Sequence, residues 1–185
     1  MFVQPHGIEL LHWWSEVGWI LKTIRDYRVS LFVEIGVFHG ALARIIMDQC
    51  VDNIDFNYVG IEHDRDHVDQ KAIDYSRGLH EFNDGEAEFM FCDALSPAAV
   101  SEVRSRILST GVPAMVYCDG GDKITEARLY WPHLRPGDIM GIHDFGRYGH
   151  PGIEVFPDDV RFVIDGGERI EIPELDARIL MVVKR

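Results

Sequence analysis

Three cysteines in 185 residues, Cys50, Cys92 and Cys118, are too few and too scattered for a disulfide framework or a cysteine-based zinc site. They fit a reducing cytoplasm, with Cys92 and Cys118 at the ends of apolar runs and expected to be buried. Basic residues are also scarce: 18 Lys and Arg against 31 Asp and Glu leave a net charge of −13. Such a chain is repelled by phosphate backbones and by anionic bilayers, which argues against nucleic acid or a membrane surface as partner. No apolar run nears the roughly 18 residues a membrane span requires. The opening MFVQPHGIEL lacks the basic start and apolar stretch of a signal peptide. Internal repeats, low-complexity tracts and linkers are missing too, so residues 1–185 read as a single domain. At this size a domain buries roughly two-thirds of its unfolded surface and needs no metal or disulfide staple.

What the chain has is alternation. Residues 10–26 place Leu10, Leu11, Trp14, Val17, Leu21 and Ile24 at helical spacing. Five short apolar runs follow: LFVEI (31–35), YVGIE (58–62), AEFMFCD (87–93), PAMVYCD (113–119) and DIMGIHD (138–144). Helix-like stretches separate them at 40–50, 64–78, 97–109 (with Pro97 suited to a first turn) and 122–134. Near-continuous apolar strands between helices predict a parallel sheet covered on both faces, over a core of 31–145. After residue 145 two strand-like runs, VRFVID and ARILMVVKR, predict a terminal antiparallel hairpin over about 160–185.

Chemistry-bearing residues fall at the ends of these strands, where open α/β sheets carry their sites. Glu34-Ile35-Gly36-Val37-Phe38-His39-Gly40 spans a strand-to-helix turn, and Gly36 and Gly40 allow a tight turn and a close ligand. Phe38 and Ala41 stand where a dinucleotide fingerprint needs glycine, so the spacing suits an uncharged sugar with an amino-acid tail, or a plain tight turn. Glu62, 22 residues after Gly40, can accept from ribose hydroxyls or cap a helix. Asp93 can accept from an exocyclic amine such as adenine N6, or cap the helix near Pro97. Asp119, His143 and Asp144 should converge beyond the fourth and fifth strands, where carboxylates beside a histidine can hold Mg²⁺ or another divalent ion. Lys123 would serve as a base if burial lowered its pKa, and otherwise pairs with an acid.

On these residues the chain resembles the class I S-adenosylmethionine-dependent methyltransferases over nearly its whole length. FVEIGVFHG resembles their first motif, YVGIEHD the ribose-binding strand tip, FMFCDAL the adenine-side motif, and MVYCDGG and LRPGDIMGIHDFG the fourth and fifth strands. The terminal hairpin is similar to that fold's reversed seventh strand. The resemblance implies a Rossmann-like three-layer α/β/α fold and S-adenosylmethionine as cofactor, bound by Glu34, Gly36, Gly40, Glu62 and Asp93. Within the class, D-G…L-x-P-G-x…H-D is similar to small-molecule and sugar O-methyltransferases of the catechol and macrolide-sugar types. That similarity implies an oxygen acceptor on a small molecule or sugar. It also implies catalytic roles among Asp119, Lys123, His143 and Asp144, with a metal on Asp119, Asp144 and His143. This chain departs in having His143 where the family often has Asp, and in having Lys123 one residue further from Asp119 than the catechol-type base.

Other signals carry less. His63-Asp64-Arg65-Asp66-His67 has the histidine spacing of a zincin but lacks its glutamate. Trp13, Trp14 and Trp19 read as a helix packed on the sheet, and Arg147, Tyr148 and His150 as a loop bordering the acceptor pocket. Two rival functions remain at this level: a module that binds the cofactor without turnover, and a nicotinamide-dependent oxidoreductase, against which Phe38 argues. Oligomeric state and acceptor identity have no signature in the sequence.

Overall fold

The structure is a computed structural model that describes residues 12, 14–50, 56–79, 87–146, 154–172 and 178–185. Its helices are α1 (Trp14–Asp26), α2 (Ala41–Cys50), α3 (Gln70–Leu79), α4 (Pro97–Ser109), α5 (Lys123–Tyr130) and α6 (Arg161–Asp165). Its strands are β1 (Leu31–Ile35), β2 (Asn57–Glu62), β3 (Ala87–Phe91), β4 (Ala114–Cys118), β5 (Ile139–His143), β6 (Gly167–Arg169) and β7 (Ile179–Lys184). They form one sheet in the order β3-β2-β1-β4-β5-β7-β6. Strands β1 to β5 run parallel, and β7 runs antiparallel to both β5 and β6. The order reverses between β1 and β4, the switch point where such sheets open a crevice.

Alternation along each strand builds two cores. Leu31, Val33 and Ile35 of β1 join Val103 and Ile107 of α4, Ala127 and Tyr130 of α5 and Val163 of α6. Phe32, Tyr58 and Tyr117 face the opposite layer, with Ile20 of α1, Ile46 of α2 and Ala72 of α3. Both faces of β1, β4 and β5 are therefore buried, which is why these strands are near-continuously apolar rather than alternating, with only Glu34 and His143 as exceptions near their carboxyl ends. Local signals agree. Ser96 caps α4 by accepting from Ala99 N at 3.3 Å with Pro97 behind it, and Asp122 caps α5 by accepting from Thr125 N at 3.0 Å. Buried Asp138 accepts from Ala114 N (2.9 Å), Arg135 N (2.7 Å) and Arg135 Nε (3.0 Å), tying the start of β4 to the turn before β5.

Six expectations change. VRFVID is not a strand: its 161–165 portion is α6, because Val160 and Val163, three apart, both enter the core. The hairpin partner is the three-residue β6, inside the stretch expected to separate the strands. The 64–78 helix divides into a 3₁₀ turn (Arg65–His67) and α3, and the 122–134 helix ends at Tyr130, with Pro132 inside a following 3₁₀ turn (Trp131–His133). Trp14 is half exposed, since α1 buries Glu16, Val17, Ile20, Thr23 and Ile24 instead; Cys92 is only partly buried, while Cys118 is fully so. Leu10, Leu11, Trp13, Arg147, Tyr148 and His150 lie outside the described residues. Among the described residues no helix is long and apolar enough to cross a membrane.

Candidate active site

The ladder continues one residue past the strands. Gly36 N donates to Ile61 O (2.9 Å), Asp119 N to Ile35 O (2.9 Å) and Cys92 N to Glu62 O (3.0 Å). The carboxyl ends of β4, β1, β2 and β3 thus form one continuous edge. At its centre Gly36 has φ +82°, and a Cβ there would lie 2.6 Å from both Cα and N of Gly120. Only glycine allows the β1 and β4 tips to touch this closely. Phe38 also has positive φ (+51°), a conformation that costs an L-residue about 1–2 kcal/mol. Its amide donates to Glu62 Oε2 at 2.9 Å. A hydrogen bond to a charged group contributes about 1.5–3 kcal/mol, enough to offset that strain. Glu62 therefore fastens the β1–α2 turn to the tip of β2.

A cavity of about 580 Å³ opens over this edge, within the range of small-molecule sites. Glu34, Gly36, Glu62 and Asp93 line one end, and Asp119, Lys123, His143 and Asp144 the other. Gly40 is absent from the wall: its φ is +83°, and a Cβ there would lie 2.8 Å from Ala72 Cβ, so this glycine lets α2 pack on α3. Glu34 is buried and accepts from the Tyr58 hydroxyl at 2.5 Å. Burial pushes its carboxyl well above the usual range, against the Tyr58 hydrogen bond. Asp93 is exposed and folds its own turn, accepting from Leu95 N at 2.8 Å, while Ser96 rather than Asp93 caps α4. A glycine-lined turn, a carboxylate at the β2 tip and another at the β3 tip, all on one cavity, fit S-adenosylmethionine.

The far end is a network of buried charges. Asp119 Oδ1 lies 2.6 Å from His143 Nδ1, and Asp119 Oδ2 lies 3.1 Å from His12 Nε2. The two imidazole rings stack with centroids 4.5 Å apart, and the Tyr117 hydroxyl is 3.3 Å from His12 Nε2. Burial opposes the charge on Asp119, but His143 and His12 outweigh it and hold the carboxyl well below its usual range. Burial likewise opposes the charge on His143; Asp119, Glu16 and Asp144 outweigh it and raise the imidazole to about 9. Lys123 Nζ donates to Gly120 O at 2.9 Å and lies 3.2 Å from Asp144 Oδ2 and 3.8 Å from Asp119 Oδ1.

The four expected catalytic residues thus come together, but Asp144 differs from an open metal ligand. Its Oδ2 faces Lys123 and its Oδ1 faces Arg178 Nη1 at 3.4 Å. A Mg²⁺ site built on both Asp119 and Asp144 would have to displace these two cations, and Mg²⁺ favours oxygen donors over imidazole. Among the described residues, the donor atoms that lie within 4.8 Å of one another belong to His12, Asp119 and His143.

Sequence reasoning missed four residues here. His12, just ahead of α1, Glu16, on α1, and Arg178, just before β7, all reach the site. Glu16 is fully buried, 3.4 Å from His143 Nε2 through Oε2, and its Oε1 accepts from Arg178 N (3.1 Å) and Nε (3.2 Å). The available signal was an acid four residues before Ile20 on an otherwise apolar stripe. Glu126 accepts from Gly120 N (3.2 Å) and Asp122 N (3.3 Å), shaping the loop that meets Gly36. Burial raises its carboxyl to about 7, against these bonds and Lys123.

Residues 33–145 match a family model described as a methyltransferase domain. No curated protein matches the sequence. Among solved structures, the ligand-free form of CmcI-N160 is similar with a TM-score of 0.72, at 16% identity over 99% of this chain and 77% of that one. A candidate caffeoyl-CoA O-methyltransferase from Staphylococcus aureus follows with a TM-score of 0.65, at 15% identity over 97% of this chain and 87% of that one. CmcI-D160 with Mg and S-adenosylmethionine has a TM-score of 0.60, at 18% identity over 77% and 57%. At such identities the structural likeness speaks for the fold alone, and the family match spans more than half of the chain. Taken with the strand order and the cavity at its switch point, the match places the chain among the methyltransferase-domain proteins, as a class I S-adenosylmethionine-dependent methyltransferase.

Proposed function

We propose that the protein transfers a methyl group from S-adenosylmethionine to an oxygen of a small molecule or sugar. The observation that carries this reading is a single cavity with two chemically different ends: a glycine turn with ribose- and adenine-side carboxylates, and the Asp119–Lys123–His143–Asp144 cluster. The cofactor lies across the tips of β1, β2 and β3. Glu62 accepts from the ribose hydroxyls, Asp93 from the adenine amine, and Gly36 lets the cofactor approach the main chain.

The acceptor occupies the β4–β5 end. Its oxygen attacks the methyl carbon in line as the carbon–sulfur bond breaks and S-adenosylhomocysteine leaves. The enzyme's contribution is alignment and removal of the hydroxyl proton. His143 takes that proton when its imidazole is deprotonated, so with its pKa held at about 9 by Asp119, Glu16 and Asp144 turnover is expected to rise with pH toward that value. Lys123 and Asp144 fix the charge on the other side of the acceptor. A divalent cation held at Asp119 and His143 would lower the pKa of the acceptor hydroxyl and position it.

The test measures S-adenosylmethionine binding by calorimetry and S-adenosylhomocysteine release against a panel of phenols, catechols and sugars. Asp119→Ala is expected to abolish turnover while cofactor affinity persists. Unchanged turnover in that variant would overturn the roles assigned to the acceptor end. Tight cofactor binding with no turnover on any acceptor would favour a non-catalytic binding module.

A further inference from the structure

His12 and His143 converge on Asp119 from opposite ends of the chain. The three donor atoms, His12 Nε2, His143 Nδ1 and an Asp119 oxygen, lie within 4.8 Å of one another. Both histidines are buried and Asp119 is only slightly exposed. Two imidazoles and one carboxylate on one side of a cavity leave the other side open to ligands from the solvent or substrate. That donor set suits borderline transition ions such as Zn²⁺, Co²⁺ or Ni²⁺ rather than Mg²⁺, which keeps oxygen ligands and water.

Two further observations point the same way. Behind His143, the buried Glu16 sets Oε2 3.4 Å from Nε2, the ring nitrogen facing away from Asp119; that nitrogen is buried and makes no hydrogen bond in good geometry. A carboxylate behind a histidine is how proteins fix the tautomer and orientation of a metal-bound imidazole. It would turn the Nδ1 lone pair of His143 toward Asp119, so that a cation would take the place of the present 2.6 Å contact between them. The second observation is exclusion. Asp144, the other carboxylate at the strand tips, is engaged by Lys123 at 3.2 Å and Arg178 at 3.4 Å, so the hard oxygen donors an alkaline-earth ion needs are not available together.

We infer that His12, Asp119 and His143 form a two-histidine, one-carboxylate site for a divalent transition-metal ion at the acceptor end of the cavity, with Glu16 as the group that orients His143. The inference rests on the acceptor-site reading above and adds His12 and the class of ion to it. His12 is a ligand contributed from just ahead of α1.

The experiment titrates Co²⁺ into the full-length protein, following visible ligand-field absorption and calorimetric heat, with Mg²⁺ present in large excess. S-adenosylmethionine binding is measured on the same samples. The expected result is a cobalt spectrum with imidazole character that Mg²⁺ does not displace. His12→Ala should abolish or severely weaken cobalt binding, and Glu16→Gln should weaken it by roughly 10–100-fold. Asp144→Asn should leave it in place. Cofactor binding in each variant reports a folded domain, so a lost cobalt signal cannot be mistaken for unfolding. Wild-type protein that binds S-adenosylmethionine but gives no cobalt spectrum would overturn the metal site while leaving the methyltransferase reading intact. Cobalt binding that survives His12→Ala but is lost in Asp144→Asn, or that Mg²⁺ displaces, would overturn the assignment in favour of an acid-based site. Wild-type protein that binds cobalt but not S-adenosylmethionine would support the metal site and overturn the reading it rests on.

Discussion

Gly36→Ala separates two effects that a glycine at a cofactor turn combines. The first is backbone conformation: φ is +82°, and an L-residue held in the left-handed region costs about 1–2 kcal/mol. The second is contact. The new Cβ would sit 2.6 Å from Cα and N of Gly120 and 2.7 Å from the Asp119 carbonyl carbon, well inside the 3.5–4.0 Å at which carbon atoms pack. All of these are backbone atoms with no flexible side chain to swing aside. The tips of β1 and β4 must part, and overpacking of this kind costs about 1–3 kcal/mol. The sum is about 2–5 kcal/mol, a large share of the 5–15 kcal/mol typical of a domain. Gly137→Ala is the matched control. Its φ is +92°, but nothing lies within 4 Å of an added Cβ, so it should lose only the backbone part, about 1–2 kcal/mol. Denaturant midpoints at constant slope read both values. Calorimetry then reads cofactor affinity: each 1.4 kcal/mol of lost alignment raises the dissociation constant about tenfold. Gly36→Ala should weaken binding at least that much in the folded protein, and Gly137→Ala not at all. Equal destabilisation by the two variants would refute the close-contact argument. Unaltered cofactor affinity in Gly36→Ala would refute this turn as the cofactor's floor.

Three further outcomes are expected. Glu62→Gln should cost about 1–3 kcal/mol, through the weakened bond to Phe38 N, and lower cofactor affinity more than tenfold by calorimetry; wild-type affinity would remove Glu62 from the site. Glu126 is an acid whose folded pKa, about 7, lies above its ordinary 4.5, so the native state holds the extra proton between those values. Stability should fall by about 3 kcal/mol as pH rises from 4.5 to 7 and then level off, and Glu126→Gln should remove that slope; parallel pH profiles of the denaturation midpoint would count against it. Asp138→Ala should destabilise by about 1–3 kcal/mol because it leaves the buried Ala114 amide without its acceptor, although Arg135 keeps the carbonyls of Thr110 and Val112, while the folded fraction still binds cofactor; a loss under about 1 kcal/mol on chemical denaturation would contradict this role.

Strand and helix alternation, and the strand-tip acids, were legible because each depends on residues close in sequence. LFVEI, AMVYC and IMGIH are apolar but for Glu34 and His143 because both of their faces are covered, and a run of that kind announces a central parallel strand without further help. Gly36 and Glu62 were legible for a similar reason: a turn and a strand tip are local objects, and topology only had to bring two adjacent tips together. VRFVID was not legible. Six residues rich in valine and isoleucine satisfy a strand and a short helix equally well, and its environment decided for α6.

The primary structure by itself determined the layered fold, the strand-tip edge and the acids along it, because hydrophobic period and turn chemistry act over a few residues. Tertiary structure alone decided which of those acids stand open and which are neutralised. Asp119 and Asp144 look equivalent in the chain, each closing an apolar strand. Only the folding of Arg178 from β7's approach against Asp144 and of His12 from ahead of α1 against Asp119 makes Asp144 a paired carboxylate and Asp119 the partner of two imidazoles. Charge interactions act through space at a few ångströms, and residues 12, 16, 119, 143 and 178 become neighbours only when the sheet closes.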